Sequence, residues 1–227
     1  MQILTKLQEE MLKIFGQTQE SNLFHLTGGT ALAAFYLRHR LSKDLDFFTG
    51  EEEIIGYFGE RLKGNLEARG IKTQTIRKFK SFFEILASRE EMSTPIHLAL
   101  DSPFRFEEPQ ETSFGVRVDS LMDIATNKLL TVFGRSEPRD FVDVFFLIKE
   151  KFSIEQLIEK SKLKDPGLDE YYLAVAFHRA KELPDDISKF PVIMVKSFDI
   201  KEMKDYFVNQ ALSILDKAKG KSNMSGQ

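Results

Sequence analysis

The stretch TGGTALAAFYLRHRLSKDLDFF, residues 27–48, places two glycines, an apolar helical run and two aspartates one residue apart within a single short segment. A strand-like run, NLFHLT (22–27), precedes it, so the order strand, Gly-Gly, helix, strand reads as an alternation of α and β. A glycine pair at a helix start leaves unpaired amide N–H groups at the positive end of the helix dipole. Such a place favours an anion, although a glycine pair before a helix is more often an ordinary tight turn. Read as a strand, KDLDFFT projects Asp44 and Asp46 from one face, roughly 7 Å apart, with Leu45 and Phe47 on the other. Two carboxylates on one face repel unless a cation lies between them, and a hard divalent ion such as magnesium accepts carboxylate oxygens. The plain alternative is that Asp44 caps a turn and Asp46 is solvated.

Working outward, residues 2–15 carry Ile3, Leu4, Leu7, Met11, Ile14 and Phe15 at helical spacing. Residues 51–69 return to helix and end at Gly70, where a left-handed cap is expected. Three further strands are read at KTQTIRKF (72–79), SFFEILAS (81–88) and TPIHLALD (94–101), followed by the proline-containing loop SPFRFEEPQE. From Asp119 to Lys217 nearly everything reads as helix, and the small, polar residues 219–227 read as a disordered tail. The expectation is an α+β fold, with a mixed-sheet α/β domain over residues 1–118 and a helical domain over 119–218.

Composition narrows the function classes. The 227-residue chain is 42% hydrophobic and 30% charged, and its 21 phenylalanines with no tryptophan make phenylalanine the main aromatic filler. A net charge of −3 gives no global attraction to nucleic acid, so any such binding needs a local basic patch or a metal. With no cysteine there is neither a disulfide framework nor a thiolate metal site. His25, His39 and His178 have no metal-ligand spacing, and the mixed charges of KEKFSIEQLIEKSKLKD read as a solvated face. No apolar run approaches membrane-spanning length and the N-terminus lacks a signal-peptide core, so a cytoplasmic protein without membrane contact is expected.

A second block lies in DIATNKLLTVFGRSEPRDFVDVFFL (123–147). On a helix, Lys128 falls within the stripe Leu121, Ile124, Ala125, Leu129 and Val132, where it either snorkels to water or aims its ammonium at an anion. Asp140 and Asp143 share a face of a helix that is otherwise apolar, so they need partners. Arg135, Arg139 and Lys128 are the nearby candidates, and a structural salt-bridge cluster stands beside a direct role.

Taken together, Gly28, Gly29, Thr30, Arg40, Ser42, Asp44 and Asp46, then SPFR, then Lys128, Arg135, Arg139, Asp140 and Asp143 resemble the motifs of the AbiEii/AbiGii toxin family of polymerase-β-like nucleotidyltransferases. The resemblance implies a nucleotidyltransferase domain followed by a helical domain, with the active site in the cleft between them. It implies magnesium- or manganese-dependent transfer of a nucleotide from an NTP to an acceptor hydroxyl, on an RNA or tRNA end, a protein or a small molecule. It also implies a toxin with a cognate antitoxin. Asp44 and Asp46 would hold metal, while Gly28, Gly29 and Thr30 would face phosphate. Arg40 and Ser42 would support the aspartates or the nucleotide, and Lys128 would contact the triphosphate. Other classes stay open: a nucleotide-binding protein without turnover, or an antitoxin-like partner-binding module. Many such transferases carry a third carboxylate on a neighbouring strand. Counting back from SPFR puts His97 at that position, with Asp101 as the alternative on the same face.

Overall fold

The computed structural model describes residues 2–224, with side chains through Lys217, and the chain divides into two compact units, residues 1–124 and 125–227. The first unit is built on a seven-stranded mixed sheet. Its strands are β1 (His25–Thr27), β2 (Leu45–Thr49), β3 (Lys72–Phe79), β4 (Phe82–Arg89), β5 (Met92–Leu100), β6 (Gln110–Glu111) and β7 (Arg117–Val118), in the order β3-β4-β5-β2-β1-β7-β6. The pairs β2/β5 and β1/β7 are parallel and the others antiparallel.

One face of this sheet is dry. Leu45 and Phe47 on β2, Ile96 and Leu98 on β5, and Phe83 and Ile85 on β4 alternate inward and are buried. They meet α1 (Lys6–Gln17) and α3 (Glu52–Glu67), with the Phe15 ring stacked on Phe47 at 3.5 Å between centroids. Helix α1 starts where Thr5 and Gln8 cap each other reciprocally, at 3.1 and 2.9 Å, and it buries Leu7, Met11, Leu12, Ile14 and Phe15 along one stripe. Helix α3 ends near Gly70, whose φ of +73° is the left-handed stop that the sequence leads one to expect. The alternate positions on the opposite face, Asp46, Phe48, His97, Ala99, Phe82 and Glu84, keep part of their surface exposed.

Several local readings change. The glycine-led helix is α-helical only over Gly28–Ala31 (α2) and widens into π turns over Leu32–Leu37, where the Arg38 N–H reaches the Ala33 carbonyl at 3.0 Å. The widening buries Leu32, Ala33 and Leu37 while the Tyr36 hydroxyl donates to the Asp119 carbonyl at 2.7 Å. Asp44 lies just before β2 rather than within it, its carbonyl accepting the Thr30 hydroxyl. Strands β6 and β7, two residues each, are too short to show alternation and were not expected. Residues 183–199, expected to be helical, contain no helix beyond the short turn Ile187–Lys189; prolines at 184 and 191 interrupt the run.

Helix α4 (Leu121–Arg135) begins in the first unit and continues in the second, which adds α5 (Pro138–Glu150), α6 (Ile154–Lys164), α7 (Glu170–His178) and α8 (Ile200–Met224). Asp119, Ser120 and Asp123 belong with the sheet: the Asp119 N–H donates to Leu26 and Asp123 accepts from the amides of Phe106 and Glu107. The core of the second unit is aromatic, with Phe207 on α8 lying 5.0 Å from Phe141 and 5.2 Å from Phe177 between centroids. Residues 219–224 of the expected tail continue α8, because backbone i→i+4 bonding propagates from its packed part, and residues 225–227 lie outside the described ones. No helix among the described residues is long and apolar enough to cross a membrane.

Candidate active site

Both glycines lie against side chains of their own motif, and Gly28 is required by its backbone as well. Gly28 has φ +71°, and a methyl group placed on it would collide with the Asp46 carboxylate; one on Gly29 would lie 2.6 Å from Arg40 Nη2 and 3.0 Å from Ser42 Oγ. The carboxylate of Asp46 is therefore pressed against the backbone that opens α2, at its dipole-positive end. Arg40 is buried and donates to the Leu41 carbonyl at 3.0 Å, while the Ser42 and Lys43 carbonyls accept from the side chain of Gln8. Thr30 ties α2 to Asp44. Gly28→Ala is expected to cost about 2 kcal/mol or more, from a left-handed φ and an overlap together, and to displace Asp46. A denaturant-melting curve unchanged from that of the unsubstituted protein would contradict this.

Across the sheet, strand register brings distant residues into one row. Thr27 pairs with Asp46, Asp46 with His97, His97 with Glu84, and Glu84 with Arg77. Side chains directly opposite in a sheet share a face. His97 Nδ1 lies 2.7 Å from Asp46 Oδ1, its Nε2 lies 3.7 Å from Glu84 Oε1, and Arg77 Nε lies 2.5 Å from Glu84 Oε2. The hydrogen bond to Asp46 holds the His97 pKa above the ordinary histidine value, and the charges of Asp46, Asp44 and Glu84 add to it against the opposing effect of burial. Asp101 stands elsewhere, beyond the end of β5. Its amide donates to the Thr49 carbonyl and its carboxylate lies 3.7 Å from Arg105. Of the two candidates for the third position, His97 is the one beside Asp46.

Sequence reading passed over Glu84 and Arg77. A lone acid opposite Phe83 and Ile85 in SFFEILAS is a visible signal, but which strand lies next to which is not. It also passed over buried Asp119, which accepts from Thr27 at 3.2 Å and from Arg105 at 2.8 Å and so anchors the residue immediately before Gly28.

The remaining expected residues lie in the second unit and form a buried ion-pair network there. Lys128 Nζ lies 2.8 Å from Asp143 and 4.0 Å from Asp140, and Arg135 grips Asp140 through two nitrogens at 2.8 and 3.0 Å. Both aspartates are fully buried, whereas Arg139 turns to Glu137 at 3.0 Å.

A divalent ion is the group the motif resemblance calls for. Among the described residues no three or more His, Cys, Asp or Glu side chains gather as a metal cluster. The available set is the two carboxylates of Asp44 and Asp46, with Asp46 at the glycine-led helix start. Two hard oxygen donors fit magnesium, which is typically held by one or two carboxylates and completed by substrate phosphates and water.

Comparison with known proteins gives a consistent result. The family model described as "Nucleotidyl transferase AbiEii toxin, Type IV TA system" matches residues 11–206. An uncharacterized protein of Aquifex aeolicus is 28% identical over 223 residues, covering 92% of this chain and all of that one. Among solved structures, MenT4, a nucleotidyltransferase toxin of Mycobacterium tuberculosis, superposes with a TM-score of 0.66 at 17% identity, covering 92% of this chain and 82% of the other. JHP933 of Helicobacter pylori superposes with a TM-score of 0.60 at 19% identity, covering 98% of each chain.

Proposed function

The chain belongs to the AbiEii nucleotidyl transferase toxin family, and from that premise we propose that it moves a nucleotide from an NTP to an acceptor hydroxyl with the help of magnesium or manganese. The acceptor class comprises an RNA or tRNA end, a protein or a small molecule, and a cognate antitoxin is the expected partner. The observation that supports the reading is the Asp46 carboxylate packed onto Gly28, because a carboxylate of the kind that can hold a cation then lies beside the amides expected to face phosphate.

Each residue then has a defined task. Asp44 and Asp46 would hold the ion, whose chemistry there would be to neutralise charge on the triphosphate and the departing pyrophosphate. The amides of Gly28, Gly29 and Thr30 take phosphate oxygens, while Arg40 and Ser42 brace the Gly29 turn. His97, hydrogen-bonded to Asp46, takes the proton of the attacking hydroxyl. The phosphorus of the transferred nucleotide gains a bond to the acceptor oxygen and loses its bond to pyrophosphate. No covalent enzyme intermediate is needed, in keeping with a chain that has no cysteine. The imidazole at the third position also favours a second reading, in which nucleotide is bound without turnover, since histidine is a poor magnesium ligand.

Incubation with each labelled NTP and total RNA or protein, with and without magnesium, tests the proposal. Label transferred to a macromolecule only in the presence of the metal is expected. Magnesium-dependent thermal stabilisation by NTPs with no transfer to any acceptor would select binding without turnover.

A further inference from the structure

We infer that the open face of the sheet carries a nucleobase slot beside the carboxylate pair, walled by Phe48 and Phe82 and floored by Ala99; this rests on the transferase reading above. Phe48 on β2 is in register with Ala99 on β5, and Ala99 with Phe82 on β4. Each lies two residues from a member of the Asp46, His97 and Glu84 row, so all six side chains share one face. Phe48, Ala99 and Phe82 all keep part of their surface exposed, so the floor is not roofed by its own walls.

The spacing suits one planar ring. Adjacent strands lie about 4.8 Å apart, so two rings on strands flanking β5 rise about 10 Å from one another. A base inserted midway sits about 5 Å from each, within the 4.5–7 Å range of stacked aromatic pairs. A larger residue than alanine between them would fill the gap.

Phe48 is braced from outside the slot, and Phe82 is held by Arg77 from outside and by His97 from β5 itself, one step along the strand from Ala99. Arg77, from the strand on the far side of β4, lies over the Phe82 ring at 5.0 Å from its centroid, and His97 meets the same ring at 5.7 Å. Phe48 is met edge-on by His25 at 6.3 Å. One step along the strands, roughly 7 Å, separates this row from Asp46 and His97. A ribose spans that kind of gap between a phosphate on the metal-holding row and a base in the slot. The base can belong to the NTP or to the terminal nucleotide of an acceptor, since each presents the same aromatic face.

The test uses a 2-aminopurine fluorophore, whose emission is quenched by stacking. It is presented first as the riboside triphosphate with magnesium and then at the 3′ end of a short RNA. Ala99→Leu fills the slot and Phe82→Leu removes a wall. In at least one arm, quenching seen with the unsubstituted protein is expected to disappear in both variants, with affinity falling about tenfold. The arm that responds identifies the source of the base. Inorganic tripolyphosphate with magnesium, which has no base, is expected to stabilise all three proteins equally and so reports that the variants are folded. Quenching that survives in both variants and both arms overturns the slot. A riboside triphosphate that with magnesium neither stabilises the unsubstituted protein nor is transferred to any acceptor overturns the transferase reading instead, and the RNA arm then decides the slot by itself.

Discussion

Replacing Asp44 and Asp46 together by asparagine is expected to abolish magnesium-dependent stabilisation by NTPs and to lower nucleotide transfer by on the order of 10³-fold or more. The fold is expected to survive. With Asp46→Asn, the side-chain carbonyl can still accept a hydrogen bond from His97, and the amide is close in size to the carboxylate that packs against Gly28. Removing two neighbouring negative charges also relieves repulsion, so the melting temperature should hold or rise. Thermal denaturation with and without magnesium and NTP reads both quantities in one experiment. Metal-dependent stabilisation that persists in the double variant would remove the two carboxylates from the site.

Lys128→Met has the second large effect, this time on stability. The ammonium lies 2.8 Å from buried Asp143 in the second unit, and methionine keeps the stem while deleting the charge. Stripping one partner from a buried pair costs about 3 kcal/mol, because the remaining charge stays desolvated. In a chain of this size that lowers the melting temperature by about 10 °C. Asp140 suffers less, since Arg135 still grips it through two nitrogens. Adding Asp143→Asn to Lys128→Met should recover most of the loss, and a double-mutant cycle measures the coupling. The same set addresses the triphosphate role implied by motif resemblance. If Asp143→Asn alone binds triphosphate normally and the stable double variant does not, Lys128 contacts the nucleotide. If both bind normally, its role is the ion-pair network. A Lys128→Met protein as stable as the original would refute the network's contribution.

Much of this architecture was legible residue by residue. Alternation in SFFEILAS and TPIHLALD marked β4 and β5, because each of these strands buries one face and leaves the other partly exposed; KTQTIRKF matches β3 through its residue types, since that edge strand buries no residue fully. Gly70 marked the end of α3 because a left-handed cap selects glycine. Local pattern failed where the local signal is weak or overridden. The π turns after Ala31 answer to burial and to the Tyr36–Asp119 bond rather than to propensity, and β6 and β7 exist only because β1 offers an edge to pair with.

The amino-acid sequence by itself determined the fold class, the family, and the glycines and aspartates of the candidate site, since these depend on short-range periodicity and on residue types at fixed spacing. Only the tertiary structure decided that Asp46, His97, Glu84 and Arg77 stand in one row, that Gly28 is needed to admit the Asp46 carboxylate, and that Phe48 and Phe82 flank Ala99. The physical reason is register. Shifting one strand by a single residue sends its side chains to the other face, and strand order and register are chosen by the burial of the whole sheet rather than by any one segment.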